Sequence, residues 1–109
     1  MDVPERGDLV FLNFNPQSGH EQAGARPGIV LSPKAFNLAA SFAVICPITS
    51  KRKGYPFEVP LPTGLAIHGV ILTDQVKSLD WSARELKVVG KVPSHIVEDC
   101  LDLISTFLS

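Results

Sequence analysis

Only one stretch of this chain carries the periodicity of a long helix. Ile96, Val97, Cys100, Leu101, Ile104, Phe107 and Leu108 recur at three- and four-residue spacing, with Glu98, Asp99 and Asp102 off the stripe. All nine prolines and all eight glycines lie upstream of it. They cut the first nine-tenths of the chain into apolar runs that are rich in β-formers and mostly too short for a helix. A chain punctuated in this way folds into short strands closed by one helix. The fold class expected is therefore mainly β with short helices: a compact, strongly bent β-barrel or sandwich with a C-terminal α-helix.

In order, strands are expected at Leu9–Phe14, Pro27–Leu31, Ser41–Thr49, Tyr55–Leu61 and Leu86–Val92. A longer strand is expected from Gly69 to Ser78, and Gly90 interrupts the last one. The Pro27–Leu31 run is nearly all apolar, so it should be central and covered on both faces. Ser32-Pro33 reads as a helix start, with Ser32 capping free N–H groups and Pro33 at the first helical position. The helix that follows, Lys34–Ala40, has room for two turns. Pro47 cannot donate to a ladder, which implies an edge or a bulge there. Acids near the first turns of the C-terminal helix suit its dipole.

The chain's 109 residues fit one domain spanning 1–109, and 45% apolar content is enough for a core. A formal net charge of −1 argues against a broadly basic nucleic-acid surface and leaves room only for a local patch. Cys46 and Cys100 are far apart in sequence and read as reduced core residues, as in a cytoplasm. His20, His68 and His95 make no metal-ligand spacing with them, so no metal and no cofactor is implied. Neither a leader nor an apolar run long enough to span a membrane stands out.

Between the first two strands lies Gly19–Pro27, G-H-E-Q-A-G-A-R-P, which holds more charge than a turn requires. If Pro27–Ser32 and Ser41–Thr49 pair as antiparallel neighbours, their register brings Arg26 opposite Ile48 and Thr49. Glu21, Arg26, Thr49, Ser50 and the Lys51-Arg52-Lys53 triplet then surround one concavity. That cluster suits RNA cleavage without metal. A base removes the proton of a 2′-hydroxyl, cations and donors hold the crowded phosphorane, and the departing 5′-oxygen takes a proton. Arg26 offers a fork matched to phosphate oxygens and Thr49 a hydroxyl donor. Glu21 or His20 could move protons, and the lysines would bind flanking phosphates.

The segments G-D-L-V-F-L-N-F-N-P (Gly7–Pro16), E-Q-A-G-A-R-P (Glu21–Pro27), V-L-S-P (Val30–Pro33), P-I-T-S (Pro47–Ser50), K-G-Y-P-F-E-V (Lys53–Val59) and D-Q-V-K-S (Asp74–Ser78), followed by W-S-A-R (Trp81–Arg84), resemble the MazF/PemK family of toxin endoribonucleases. The resemblance implies an SH3-like β-barrel, a homodimer and sequence-specific cleavage of single-stranded RNA, with an ACA-like triplet suggested. It implies products with a 2′,3′-cyclic phosphate and a 5′-hydroxyl, formed without metal. It also implies a MazE-like antitoxin whose acidic, disordered tail blocks the RNA site. The family's catalytic arginine falls on Arg26, its catalytic threonine on Thr49 and its loop glutamate on Glu21. Two positions depart from close relatives: Asn13-Phe14-Asn15-Pro16 lacks their acids, and His20 stands where a serine is common.

Around that centre, Ser50, Lys51, Arg52 and Lys53 are expected to contact phosphates, and Gln75 to read a base edge near Lys77. Asp74 caps or braces a turn. Phe14 and Trp81 are either stacking platforms or core. Two other functions compete on the same fold: a binding-only toxin like the CcdB-type gyrase poisons, and an SH3-like peptide-binding adaptor. The gyrase poisons act through a C-terminal end that includes tryptophan, whereas this chain's only tryptophan is Trp81 and its end is Phe107-Leu108-Ser109.

Overall fold

The computed structural model describes residues 2–14 and 24–108. Seven strands and two helices follow in the order β1 (Asp8–Leu12), β2 (Arg26–Val30), α1 (Lys34–Ala40), β3 (Ala43–Thr49), β4 (Glu58–Pro60), β5 (Val70–Leu72), β6 (Lys77–Leu79), β7 (Lys87–Lys91) and α2 (Ser94–Leu108). The strands pair antiparallel in the order β4-β5-β3-β2-β1-β7, and β6 also pairs with β3. The mainly β architecture with a closing C-terminal helix is the expected one, although the sheet does not close on itself.

β3 organises the sheet. One edge pairs with β2; the other pairs first with β6, at Ala43–Ile45, and then with β5, at Ile48 and Thr49. Leu31 N–H donates to Val44 O at 2.8 Å. Even-numbered residues of β3 therefore turn their backbone groups toward β2, and odd-numbered ones away from it. Pro47 is odd, and it lies in the gap where neither β5 nor β6 pairs. Its missing N–H is thus absorbed at a break in the ladder, as a proline within a sheet requires.

β2 is covered on both faces, as its composition implies. Ile29, with Leu31 just beyond the strand, points into a cluster with Leu9, Cys46, Ile48 and Ile71, onto which α2 packs Ile96, Val97 and Cys100. Burial of each such aliphatic side chain contributes about 1.5–3 kcal/mol. Val30 points the other way, into a cluster with Val10, Leu12, Ala43, Ile45, Leu79 and Trp81. Cys46 and Cys100 are free and buried, the core role expected of them.

Two local readings need correction, the place of the helix acids is sharpened, and the open alternative for Trp81 is settled. Ser32 does not cap α1: Pro33 occupies the N-cap without a side-chain bond. Ser32 Oγ instead donates to Asn37 Oδ1 (2.5 Å) and accepts from Val44 N–H (2.8 Å). A buried amide was within reach and competed successfully for the hydroxyl. The Gly69–Ser78 strand is two strands, β5 and β6, separated by a 3₁₀ turn at Thr73–Gln75 that sends each to a different stretch of β3. The first turn of α2 contains no acid, since Glu98 and Asp99 fall a turn later. Trp81 is only 7% exposed and donates its indole N–H to Asn37 O at 3.0 Å, so it is core and no stacking platform. Among the described residues, no helix is long and apolar enough to cross a membrane.

Candidate functional site

Paired positions form a row across five strands. Leu12 lies across from Arg26, Thr49 from Val70, and Val70 from Pro60. Between β2 and β3 the assigned pairs run from Val30 with Ile45 down to Gly28 with Pro47. Each step back along β2 is matched by one step forward along β3, so two more steps set Arg26 across from Thr49. Antiparallel partners project to the same face of a sheet. Accordingly, Arg26 and Thr49 line one cleft of about 720 Å³, together with Phe14, Leu72, Gln75 and Lys77.

Phe14 lines this cleft. It packs on the Val10–Val30 cluster, over the α-carbon of Gly28. A Cβ at Gly28 would come within 2.9 Å of Ile45 Cγ2 and 3.2 Å of Phe14 Cζ, so the position has no room for a side chain. Arg84 fixes the neighbouring backbone by donating from Nη1 to the carbonyls of Asn13 (3.2 Å) and Phe14 (2.8 Å).

Thr49 is half-buried, and its Oγ1 accepts a hydrogen bond from Lys51 N–H at 3.1 Å. The hydroxyl proton remains available as a donor. Arg26 is exposed at the start of β2. Among the described residues, the ion pairs involve Lys34 and Lys91 with Glu5 and Asp8, and none involves Arg26, Lys51, Lys53 or Lys77. Among the described residues these four cations make no ion pair with a carboxylate, in a chain of near-zero net charge. That is the local patch which composition alone left possible.

A second pocket, of about 400 Å³, adjoins the cleft through Thr49, Leu72 and Gln75 and continues to Lys51, Lys53, Tyr55, Glu58 and Asp74. Tyr55 donates its hydroxyl to Asp74 Oδ2 at 2.6 Å, a bond that raises the Tyr55 pKa above the usual tyrosine range. The Tyr55 ring meets Phe57 edge-on at 5.8 Å, and Phe57 meets Phe107 of α2 edge-on at 5.5 Å. The basic loop is tied through this ladder to the closing helix.

Of the residues singled out from sequence, the cleft gathers Phe14, Arg26, Thr49, Gln75 and Lys77, and the adjoining pocket gathers Lys51 and Lys53. Ser50 and Arg52 are exposed and line neither. His20 and Glu21 lie outside the described residues. Asp74 braces a turn, as read from sequence, through Tyr55. Tyr55 and Glu58 were not singled out; both stand in the K-G-Y-P-F-E-V segment, where a carboxylate four residues after the glycine of a turn was the available signal. Among the described residues no group of three histidine, cysteine or acidic side chains could hold a metal ion.

The fold and the cleft together define a small antiparallel β protein whose cleft is lined by a guanidinium, without an ion pair among the described residues, and a hydroxyl, a combination suited to an anionic ligand. A model of the PemK-like, MazF-like toxins of type II toxin-antitoxin systems matches residues 5–108, and the chain belongs to that family. It is 48% identical over 90 residues to the endoribonuclease toxin MazF of Escherichia coli (strain K12), covering 83% of this chain and 80% of that protein. It superimposes on the crystal structure of MazF (Form-I) from Deinococcus radiodurans with a TM-score of 0.89 and 44% identity, over 99% of this chain and 98% of that one. It is equally similar in fold to a chain of the MazE-MazF (Form-II) structure from the same organism, with a TM-score of 0.89 and 38% identity over 100% and 98% of the two chains. The chain is a toxin endoribonuclease of this family.

Proposed function

We propose that this toxin cuts single-stranded mRNA at a short sequence, by attack of a 2′-hydroxyl on its own phosphate, and so arrests translation and growth. The observation that carries the reading is that Arg26 and Thr49, from adjacent antiparallel strands, line one cleft. The 2′-oxygen forms a new bond to phosphorus as its proton leaves to a base. The bond from phosphorus to the 5′-oxygen breaks, and that oxygen takes a proton. The products are a 2′,3′-cyclic phosphate and a 5′-hydroxyl. The nucleophile belongs to the substrate, so the protein needs to supply only proton transfer and charge stabilisation. Arg26 pairs with the non-bridging oxygens, and Thr49 donates to the same phosphorane. Glu21 and His20 are the candidates for the proton transfers.

Lys51, Lys53 and Lys77 hold flanking phosphates, Gln75 reads a base edge, Phe14 forms a wall of the cleft, and Ser50 and Arg52 contact the strand where it leaves the site. The same cations suit the acidic, disordered tail of a MazE-like antitoxin; the MazE-MazF assembly of the Deinococcus relative supports such a partner. The toxin domain spans the chain and works in the bacterial cytoplasm as a homodimer, and exposed Phe36 and Leu38 on α1 offer apolar surface for association. A gyrase-poison reading is disfavoured because the only tryptophan is buried.

The test is expression without antitoxin, with mapping of 5′-hydroxyl RNA ends. Wild type should stop growth and yield ends at one short sequence, whereas Arg26→Ala and Thr49→Ala should do neither while remaining folded. An Arg26→Ala protein that cut RNA at the wild-type rate would refute the assignment.

A further inference from the structure

The loop after Thr49 carries the two lysines of the pocket adjoining the cleft, and its shape is set by a carboxylate to which no role in the reaction has been given. Glu58, the first residue of β4, accepts hydrogen bonds from three successive backbone N–H groups: Lys53 N to Oε2 at 3.0 Å, Gly54 N to Oε1 at 3.1 Å and Tyr55 N to Oε1 at 3.4 Å. Three converging N–H groups form an anion-binding concavity, and here the chain fills it with its own side chain. Lys51, Lys53 and Glu58 line the same pocket, yet Glu58 makes no ion pair with either lysine. Its negative charge is engaged by backbone, and the ammonium groups remain available. At the other end the loop is held by Lys51 N–H on Thr49 Oγ1, so the residue of the reaction and the basic loop share one bracket.

We propose that Glu58 is a positioning residue for substrate: it fixes the backbone of the Lys51–Tyr55 loop so that Lys51 and Lys53 meet the RNA phosphates flanking the scissile one. The role rests on the reading, given above, that these lysines contact RNA. It acts through the loop and not on the reacting atoms, so it belongs to binding and its salt dependence. A phosphate entering the pocket meets ammonium groups and finds the backbone concavity already occupied. A carboxylate with two oxygens can serve three donors where an amide with one acceptor cannot.

The test measures binding of a single-stranded RNA carrying a 2′-deoxy block at the cut, by fluorescence anisotropy between 50 and 300 mM NaCl, together with single-turnover cleavage of the unblocked RNA. Glu58→Ala should weaken binding at low salt on the order of tenfold and flatten the log-log salt slope by roughly 1, the contribution of one to two phosphate contacts to a single strand. The loss should fall on the RNA concentration needed for half-maximal rate, and the rate at saturation should change less than about threefold. Glu58→Gln should be intermediate. In a Lys51→Ala/Lys53→Ala background, Glu58→Ala should weaken binding no further.

A Glu58→Ala protein that kept the wild-type salt slope, or whose loss added in full to that of the lysine pair, would overturn the positioning role. A lysine-pair variant that bound RNA like wild type would overturn the phosphate-contact reading beneath it, and the positioning role with it. Thermal unfolding of each variant separates either result from simple loss of fold.

Discussion

Gly69 presses its bare α-carbon against the backbone of Thr49. A Cβ built there would overlap the Thr49 carbonyl and lie 3.1 Å from Ser50 Cα, and the backbone of Gly69 is held at φ +124°. The proposed hydroxyl donor is thus wedged between β2 on one side and the start of β5 on the other. Gly69→Ala combines backbone strain with a steric overlap that no flexible side chain can relieve. It should cost about 2 kcal/mol or more of stability and reduce cleavage well beyond that, because Thr49 and Ser50 must move. Urea unfolding and cleavage measured well below the melting temperature check both parts. A stable Gly69→Ala protein with full activity would show that Thr49 tolerates displacement.

The Arg26–Thr49 pair makes separable predictions. Arg26→Lys keeps the charge and loses the planar fork. RNA binding should fall only a few-fold, while the rate at saturation falls on the order of a hundredfold, the scale of losing one donor to a developing charge. Thr49→Ser should keep substantial activity, since the hydroxyl and its bond from Lys51 N–H are retained. Thr49→Val, near-isosteric but without the hydroxyl, should be as inactive as Thr49→Ala. Single-turnover cleavage against RNA concentration resolves the two effects.

Asn37 carries a polar network in an otherwise apolar interior. Fully buried, it donates from Nδ2 to Pro4 O (2.8 Å) and Ser32 O (3.0 Å), accepts from Ser32 Oγ, and receives the Trp81 indole N–H on its carbonyl. It thereby joins the N-terminal segment, the β2–β3 connection and the second apolar cluster. Asn37→Leu strands the two carbonyls and the serine hydroxyl and should cost about 3 kcal/mol. Cleavage per folded molecule should be unchanged, because none of these groups lines the cleft. Denaturant unfolding, compared with activity at low temperature, tests this.

Alkaline pH should destabilise the protein from more than one place. Burial pushes the Cys100 thiol up to about 12, and burial raises Cys46 further, helped by the proximity of Cys100 and Asp74. Each thiol is neutral in both states at pH 7. Above the ordinary thiol range the unfolded chain ionises and the folded chain does not, so unfolding releases protons and stability falls as pH rises, by up to about 1.4 kcal/mol per unit per thiol. Lys91 acts in the same sense: burial opposes its charge, but Asp8 and Glu5 outweigh burial and raise its pKa. Its ion pairs are present at neutral pH and lost as pH passes through the raised value. Tyr55, raised by its bond to Asp74, loses that brace in the same direction. Unfolding free energies at pH 7, 9 and 10 should decline progressively, and a thiol reagent at pH 7 should react no faster than the protein unfolds.

The parts of the fold governed by local pattern were legible in the chain. α1 was expected at Lys34–Ala40 and is found there, and the stripe beginning at Ile96 is a helix against the core. The antiparallel β2–β3 register, Gly28 with Pro47, which runs on toward Arg26 and Thr49, could be anticipated because a short connection between two apolar runs leaves few registers. What failed depended on partners that hydrophobic periodicity does not report. Ser32 was assigned to the nearest helix, but Asn37 and Val44 took its hydroxyl. The 3₁₀ break at Thr73–Gln75 exists because β3 must be paired by two strands past Pro47, which no window around Thr73 reveals. Glu58 escaped notice because its partners are backbone N–H groups, which every residue but proline carries.

The hairpin at the heart of the sheet has a further consequence. Arg26 opens β2, Thr49 ends β3, and the chain between them turns back through α1 at the opposite end, where Ser41 sits in a left-handed turn at φ +61°. A break in the peptide between Leu38 and Ser41 would therefore leave the guanidinium on one fragment and the hydroxyl on the other. On the roles proposed for these two groups, neither half should be toxic alone, and activity should return only where the β2–β3 ladder re-forms.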